Sequence, residues 1–87
     1  MLRFTGRAER LAPAGEDPRF RSLSAREREI LAQLTAGRTN AQVGKALFIS
    51  EKTVRNHLTR IFEKLGVHSR AQAIVLARDG GFTGPRS

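Results

Sequence analysis

Between Leu23 and Phe82 the apolar positions recur at intervals of three and four residues, whereas residues 1–21 hold no sustained period. Ile30, Leu31 and Leu34 share one helical face, as do Val43 and Leu47. Val54, Leu58, Ile61 and Leu65 form a longer stripe with Phe62 beside it. The last block is apolar on two sides, Ala71, Ile74 and Val75 on one and Ala73, Leu76 and Ala77 on the other. The pattern predicts an all-α fold of four helices, from Ala25 to Ala36, Asn40 to Leu47, Glu51 to Leu65 and Arg70 to Asp79.

Local signals agree with these boundaries. Ser24 with Glu27, Thr39 with Gln42 and Ser69 with Gln72 have the capping-box spacing, in which a hydroxyl accepts from the third amide and Glu or Gln reaches back. Ser50 lacks a return partner, but Ile49 and Val54 have the spacing of a hydrophobic staple. Gly37, Gly66 and Gly80 mark the helix ends as residues that adopt the left-handed conformation cheaply. Only Phe48, Ile49 and Ser50 separate the second and third helices, and a two-turn helix, a tight turn and a longer helix is the layout of a helix-turn-helix. Gly44, beside Val43, offers room for close approach; the plainer reading is a weak spot in a short helix.

The 87 residues predict one domain over 22–82, preceded by a poorly structured tail or linker over 1–21, punctuated by Pro13, Gly15 and Pro18, and followed by a short tail over 83–87. There is no cysteine, which excludes disulfides, thiolate metal sites and cysteine nucleophiles. No apolar run approaches the ~18 residues of a membrane span, and charges interrupt the N-terminus too early for a signal peptide, so a cytoplasmic location is the default expectation. Sixteen Lys and Arg against eight Asp and Glu leave a net charge of +8. That balance attracts polyanions without choosing among DNA, RNA and an anionic membrane surface.

The third helix narrows the choice. Opposite its apolar stripe it presents Lys52, Asn56, Thr59 and Arg60, with Arg55 and His57 on the flanks and Glu63 further along. Arg pairs bidentately with guanine and Asn with adenine, Thr contacts a thymine methyl or a phosphate, and cations release counterions from phosphates. A solvated amphipathic helix explains most such faces. Here the helix starts directly after a tight turn and its exposed first half is basic or neutral, with Glu51 placed where an acid suits the helix dipole. His57 and His68 lack the companions of a metal site, and Ser50, Ser69 and His57 have no acid placed to orient a triad, so neither metal, cofactor nor enzyme activity is expected. RNA is disfavoured because side chains do not reach the bases of the deep A-form major groove. A protein-interaction module, docking on RNA polymerase or another regulator with little sequence reading, stays open.

Five blocks in order, Leu23 to Leu31, Gly37 to Asn40, Ile49 to His57, Lys64 to Val67 and Ser69 to Ala73, resemble the LuxR/GerE family of bacterial regulators over about residues 23–82. The first block alone also looks like the promoter-reading end of sigma factors; His57, the Lys64 to Val67 exit and the fourth helix favour LuxR/GerE. The resemblance implies a four-helix domain whose third helix reads the major groove, and homodimers on inverted repeats with the fourth helix at the dimer contact. Carried onto this chain, it implies base contacts from Arg55, Asn56 and Thr59. It also implies phosphate or groove-edge contacts from Lys52, Thr53, His57 and Arg60, with Lys45 and Arg38 as outliers. Thr53, Val54 and His57 belong to the recurring family pattern, so His57 is in part structural. Ala41 stands where many members carry a basic residue, which weakens the case for a phosphate contact there, and Gly44 stands where alanine is commoner. Family members usually carry a sensing domain upstream; 21 residues do not hold one, leaving a stand-alone member or a fragment of a longer regulator.

Two expectations come from the residues themselves. Glu27 shares a face with Ile30, Leu31 and Leu34 and needs a cationic partner, for which Arg70 is the candidate. One side of the fourth helix must pack on the core; the other, assigned to Ala73, Leu76 and Ala77, is expected at a dimer contact, unless it covers the N-terminal segment.

Overall fold

The cap signals form where the sequence puts them. In the computed structural model, which describes residues 16–85, a 3-10 turn over Pro18–Ser22 precedes α1 (Ala25–Thr35), α2 (Asn40–Leu47), α3 (Glu51–Leu65) and α4 (Arg70–Asp79). Both halves of the Ser24–Glu27 and Thr39–Gln42 capping boxes are made. At α4 only one half is: the Ser69 hydroxyl accepts from the Gln72 amide at 3.1 Å, but the Gln72 side chain reaches past Ser69 and accepts from the His68 amide at 2.6 Å. The expectations for residues 1–15, 86 and 87 lie outside the described residues.

Ile30, Leu31, Leu34, Val43, Val54, Ile61 and Leu65 are fully buried, so the predicted stripes of α1, α2 and α3 meet in one core. α2 meets α3 across the turn, and Gly44 sets how closely. A Cβ on Gly44 would lie 2.6 Å from the Ile49 carbonyl oxygen, a backbone atom held by the start of α3. Close approach is therefore the reading that fits, and a large side chain has nowhere to go. Gly44→Leu should destabilise the domain by about 1–3 kcal/mol in urea unfolding, through overpacking that outweighs the gain in helix propensity.

Four expectations need correction. The tail predicted over 1–21 does not include its last residues: Asp17 caps the 3-10 turn through the Arg19 amide, and Phe20 is fully buried. The segment assigned to a tail over 83–87 likewise contributes Thr83 and Gly84 to bonds with Glu16 and Arg28. Gly80 is not left-handed (φ −87°); a Cβ there would meet the Leu76 carbonyl oxygen at 2.7 Å, Phe20 at 3.0 Å and Asp17 at 3.1 Å, so its smallness serves both the tight end of α4 and the docking of the 3-10 turn. Finally, the cation on Glu27 is Lys64, not Arg70. Lys64 Nζ donates to Glu27 Oε1 at 2.8 Å and to the Ser22 carbonyl at 3.1 Å, which ties the end of α3 to the start of α1. Burial pushes the Glu27 carboxyl up, but the bonds from Lys64 and from the Ser24 amide overcome it and hold the group below its ordinary value.

Candidate nucleic-acid interface

The turn between α2 and α3 ends α2 on Phe48, whose backbone is left-handed (φ 60°), and Ser50 then caps α3. The Ser50 hydroxyl accepts from the Thr53 amide at 3.1 Å and donates to the Thr53 hydroxyl at 3.0 Å. This fixes the first turn of α3 and with it the direction of every side chain on the helix. Val54, Leu58, Ile61 and Leu65 face the core, so Lys52, Arg55, Asn56, Thr59 and Arg60 necessarily face outward, and all five are exposed. Thr53 and His57 sit half-buried at the boundary between core and exposed face.

Among the described residues no acid neutralises the cations on this face. Among the described residues Lys52, Arg55 and Arg60 take part in no ion pair; the pairs present are Arg19–Asp17, Arg26–Glu29, Arg28–Glu16 and Lys64–Glu27. Thr59 is the partial exception among the polar groups. Its hydroxyl donates to the Arg55 carbonyl at 3.2 Å, which leaves its methyl group and an acceptor lone pair outward. The Thr53 hydroxyl oxygen accepts from Ser50, so of the two threonines Thr53 keeps an O–H to donate whereas Thr59 has given its own to the Arg55 carbonyl.

The two outlying candidates come together elsewhere. Arg38, in the segment joining α1 to α2, and Lys45, on α2, line one open depression of about 270 Å³ with Gln42 and Ala46. Both cations are exposed, and no acid shares the lining. Two basic patches therefore flank the helix-turn-helix, one on the outward face of α3 and one beside the start of α2.

Ala73, Leu76 and Ala77, expected at a dimer contact, lie on the side of α4 that packs into the domain. Ala73 is fully buried and Ala77 nearly so, and Leu76 packs partly buried against the same core. Their side of α4 is the one that faces the rest of the domain, and small residues there let α4 lie close to α1. The other side carries Ala71 and Val75 exposed, Val75 at 49 %, while Ile74, like Leu76, is half-buried and packs against the core. The correction follows from a weak pattern: with alanine on both sides, α4 gave no difference in residue size from which to choose.

Sequence reasoning missed Phe20 and Arg28. Phe20 had a readable signal in Asp17-Pro18, an N-cap residue followed by proline at the first helical position. Arg28 had none, because nothing local separates it from the exposed Arg26 two positions earlier.

The profile of bacterial regulatory proteins of the luxR family matches residues 21–77, which takes in the 3-10 turn's end, all of α1 to α3 and most of α4. The chain belongs to that family. It is similar to the spore germination protein GerE of Bacillus subtilis, 49% identical over 53 residues that make up 61% of this chain and 72% of that protein. It is also similar to the transcriptional regulatory protein DegU of Brevibacillus brevis, 45% identical over 60 residues, 69% of this chain and 25% of DegU. Among solved structures it resembles the VqmA dimer of Vibrio cholerae, described as a LuxR-type receptor, with a TM-score of 0.70 and 35% identity over 75% of this chain and 29% of that one. The luxR-family chain thus spans most of GerE but only 25% of DegU and 29% of VqmA.

Proposed function

We propose that this luxR-family domain binds double-stranded DNA and regulates transcription, with the first half of α3 lying in the major groove. The observation that carries the reading is the outward face of α3. Five polar or cationic side chains stand exposed on a helix whose first turn is fixed by Ser50, and the cations among them form no ion pair with the described residues. Arg55 and Asn56 are the base readers, since their planar groups match the paired donors and acceptors of guanine and adenine. Thr59 contributes its methyl group against a thymine methyl, because its O–H is already given to Arg55. Lys52 and Arg60 contact phosphates, as do Arg38 and Lys45 from their own patch. Thr53 and His57 set the groove edge from their half-buried positions.

The domain acts as a homodimer on an inverted repeat. The side of α4 that carries Ala71 and Val75 is the contact, since Ala73 and Ala77 are spent on the core. At about four phosphates per subunit, the slope of log affinity against log salt is on the order of −7 for the dimer.

Selection of the purified protein on a random duplex library tests this. Wild type should enrich an inverted repeat. Arg55→Ala with Asn56→Ala should lose or change the motif, each base contact being worth about 1–3 kcal/mol. Lys52→Ala should weaken all sequences alike. A library without an enriched motif would instead favour a helix-turn-helix that docks on RNA polymerase or another regulator.

A further inference from the structure

Arg70 opens α4, half-buried, and both ends of its guanidinium are committed. Nη1 donates to the Arg38 carbonyl at 2.9 Å, and Nη2 donates to Asn40 Oδ1. Neither acceptor carries a charge, and both belong to the segment that leads from α1 into α2. That segment turns through Gly37 in the left-handed conformation (φ 84°); its Gly37 amide donates to the Leu34 carbonyl at 2.9 Å, its Arg38 amide to the Gln33 carbonyl at 3.2 Å and its Thr39 amide to Gln42 Oε1 at 2.8 Å. Arg70 ties this segment to α4, from 32 residues away in the chain. Its planar fork holds two acceptors at once, which a lysine ammonium on a flexible stem does not do with the same geometry.

The side chain beyond the Arg38 carbonyl is the one that faces solvent. Its Nη1 donates to Gln33 Oε1 at 2.6 Å, and it lines the depression shared with Lys45. The backbone atom that Arg70 holds is therefore the anchor of a cation aimed outward.

We infer that Arg70 is a positioning residue for DNA binding: by clamping the Arg38 carbonyl and Asn40 it fixes the Arg38 guanidinium beside Lys45, so that one phosphate is met by a pre-set pair of cations. The inference rests on the DNA reading proposed above and deepens it. A phosphate contact made by a fixed side chain avoids part of the ordering cost that a free arginine incurs on binding.

The test is affinity for a duplex carrying the selected site, measured across a salt series for wild type, Arg70→Gln, Arg38→Ala and the double variant, at a temperature where thermal unfolding shows each to be folded. Arg70→Gln should weaken binding about fivefold and flatten the log–log salt slope by roughly one unit per subunit, with the motif unchanged. In the Arg38→Ala background the same change should have less than about a twofold effect, because the contact it serves is already gone. A general loss of structure would not depend on Arg38 in this way. Should Arg70→Gln fail to fold, Asn40→Ala removes one of the two bonds and should give a smaller effect in the same direction. An unchanged salt slope, or full additivity with Arg38→Ala, would overturn the inference while leaving the DNA reading intact. Wild type without affinity for any duplex would overturn both.

Discussion

Phe20→Ala should lower the stability of the domain by about 3–5 kcal/mol, the cost of removing a fully buried aromatic ring. The ring lies 5.0 Å from that of Phe82, the planes tilted by 51°, and such pairs contribute roughly a further 0.5–1.5 kcal/mol. Against the ~5–15 kcal/mol that a small domain has in total, this is a large share. The residue stands outside the four helices, on a segment without apolar periodicity. Yet its neighbours are held from several directions: the Asp17 amide donates to the Gly80 carbonyl at 2.7 Å, and Arg19 Nη1 to the Leu65 carbonyl at 3.1 Å. Urea unfolding of wild type and variant gives the midpoint and slope directly. A loss below about 1 kcal/mol would mean that the 3-10 turn is an accessory, and that the four helices fold without it.

Why the sequence showed the helices so well and the clasps around them so poorly has a physical answer. Caps and stripes are local: the Ser24–Glu27 and Thr39–Gln42 boxes are completed within four residues, and the α3 stripe is fixed by helical geometry alone. Local chemistry therefore located the outward face of α3, and with it Lys52, Arg55, Asn56, Thr59 and Arg60. Ion pairing across the fold is not local. Glu27 was recognised as a buried acid in need of a cation, but Lys64 and Arg70 were both available, and the choice depends on how α3 and α4 lie against α1. The structure gives Lys64 to Glu27 and frees Arg70 for the segment before α2. Packing likewise decided which side of α4 meets the core, and turned Ala73 and Ala77 inward. A stripe is readable when one side is large and apolar and the other polar; Ala73 and Ala77 on one side against Ala71 and Val75 on the other do not meet that condition.

Arg28→Leu should cost up to about 3–5 kcal/mol, the range for breaking a buried ion pair, since it leaves the part-buried Glu16 carboxylate and two backbone carbonyls without their donor. Arg28 is 2% exposed and gathers three segments. Its Nη2 pairs with Glu16 at 2.7 Å, its Nη1 donates to the Phe20 carbonyl at 3.1 Å and its Nε to the Gly84 carbonyl at 3.0 Å, with the guanidinium 4.9 Å from the centre of the Phe82 ring. Glu16 in turn accepts from the Thr83 amide and hydroxyl. The bond from Arg28, with those from Thr83, outweighs burial and holds the Glu16 carboxyl down to about 2, against 4.5 for the ordinary group. A depressed carboxyl stabilises the fold fully at pH values above its unfolded pKa, and the contribution is lost as pH falls from there through the folded value. The window is therefore about pH 4.5 down to about 2. The whole contribution is at most about 3 kcal/mol, of which about 2 should be gone by pH 3. Glu16→Gln should be less stable than wild type at pH 7 and lose correspondingly less on acidification. It should keep a residual slope, because Arg19 lowers Asp17 and Lys64 lowers Glu27, and both act in the same direction. Chemical unfolding at pH 7 and pH 3 separates the cases. Equal losses in wild type and Glu16→Gln would show that the pair does not hold the ends of the domain together in solution, and Arg28→Leu would then owe its cost to the orphaned Phe20 and Gly84 carbonyls alone.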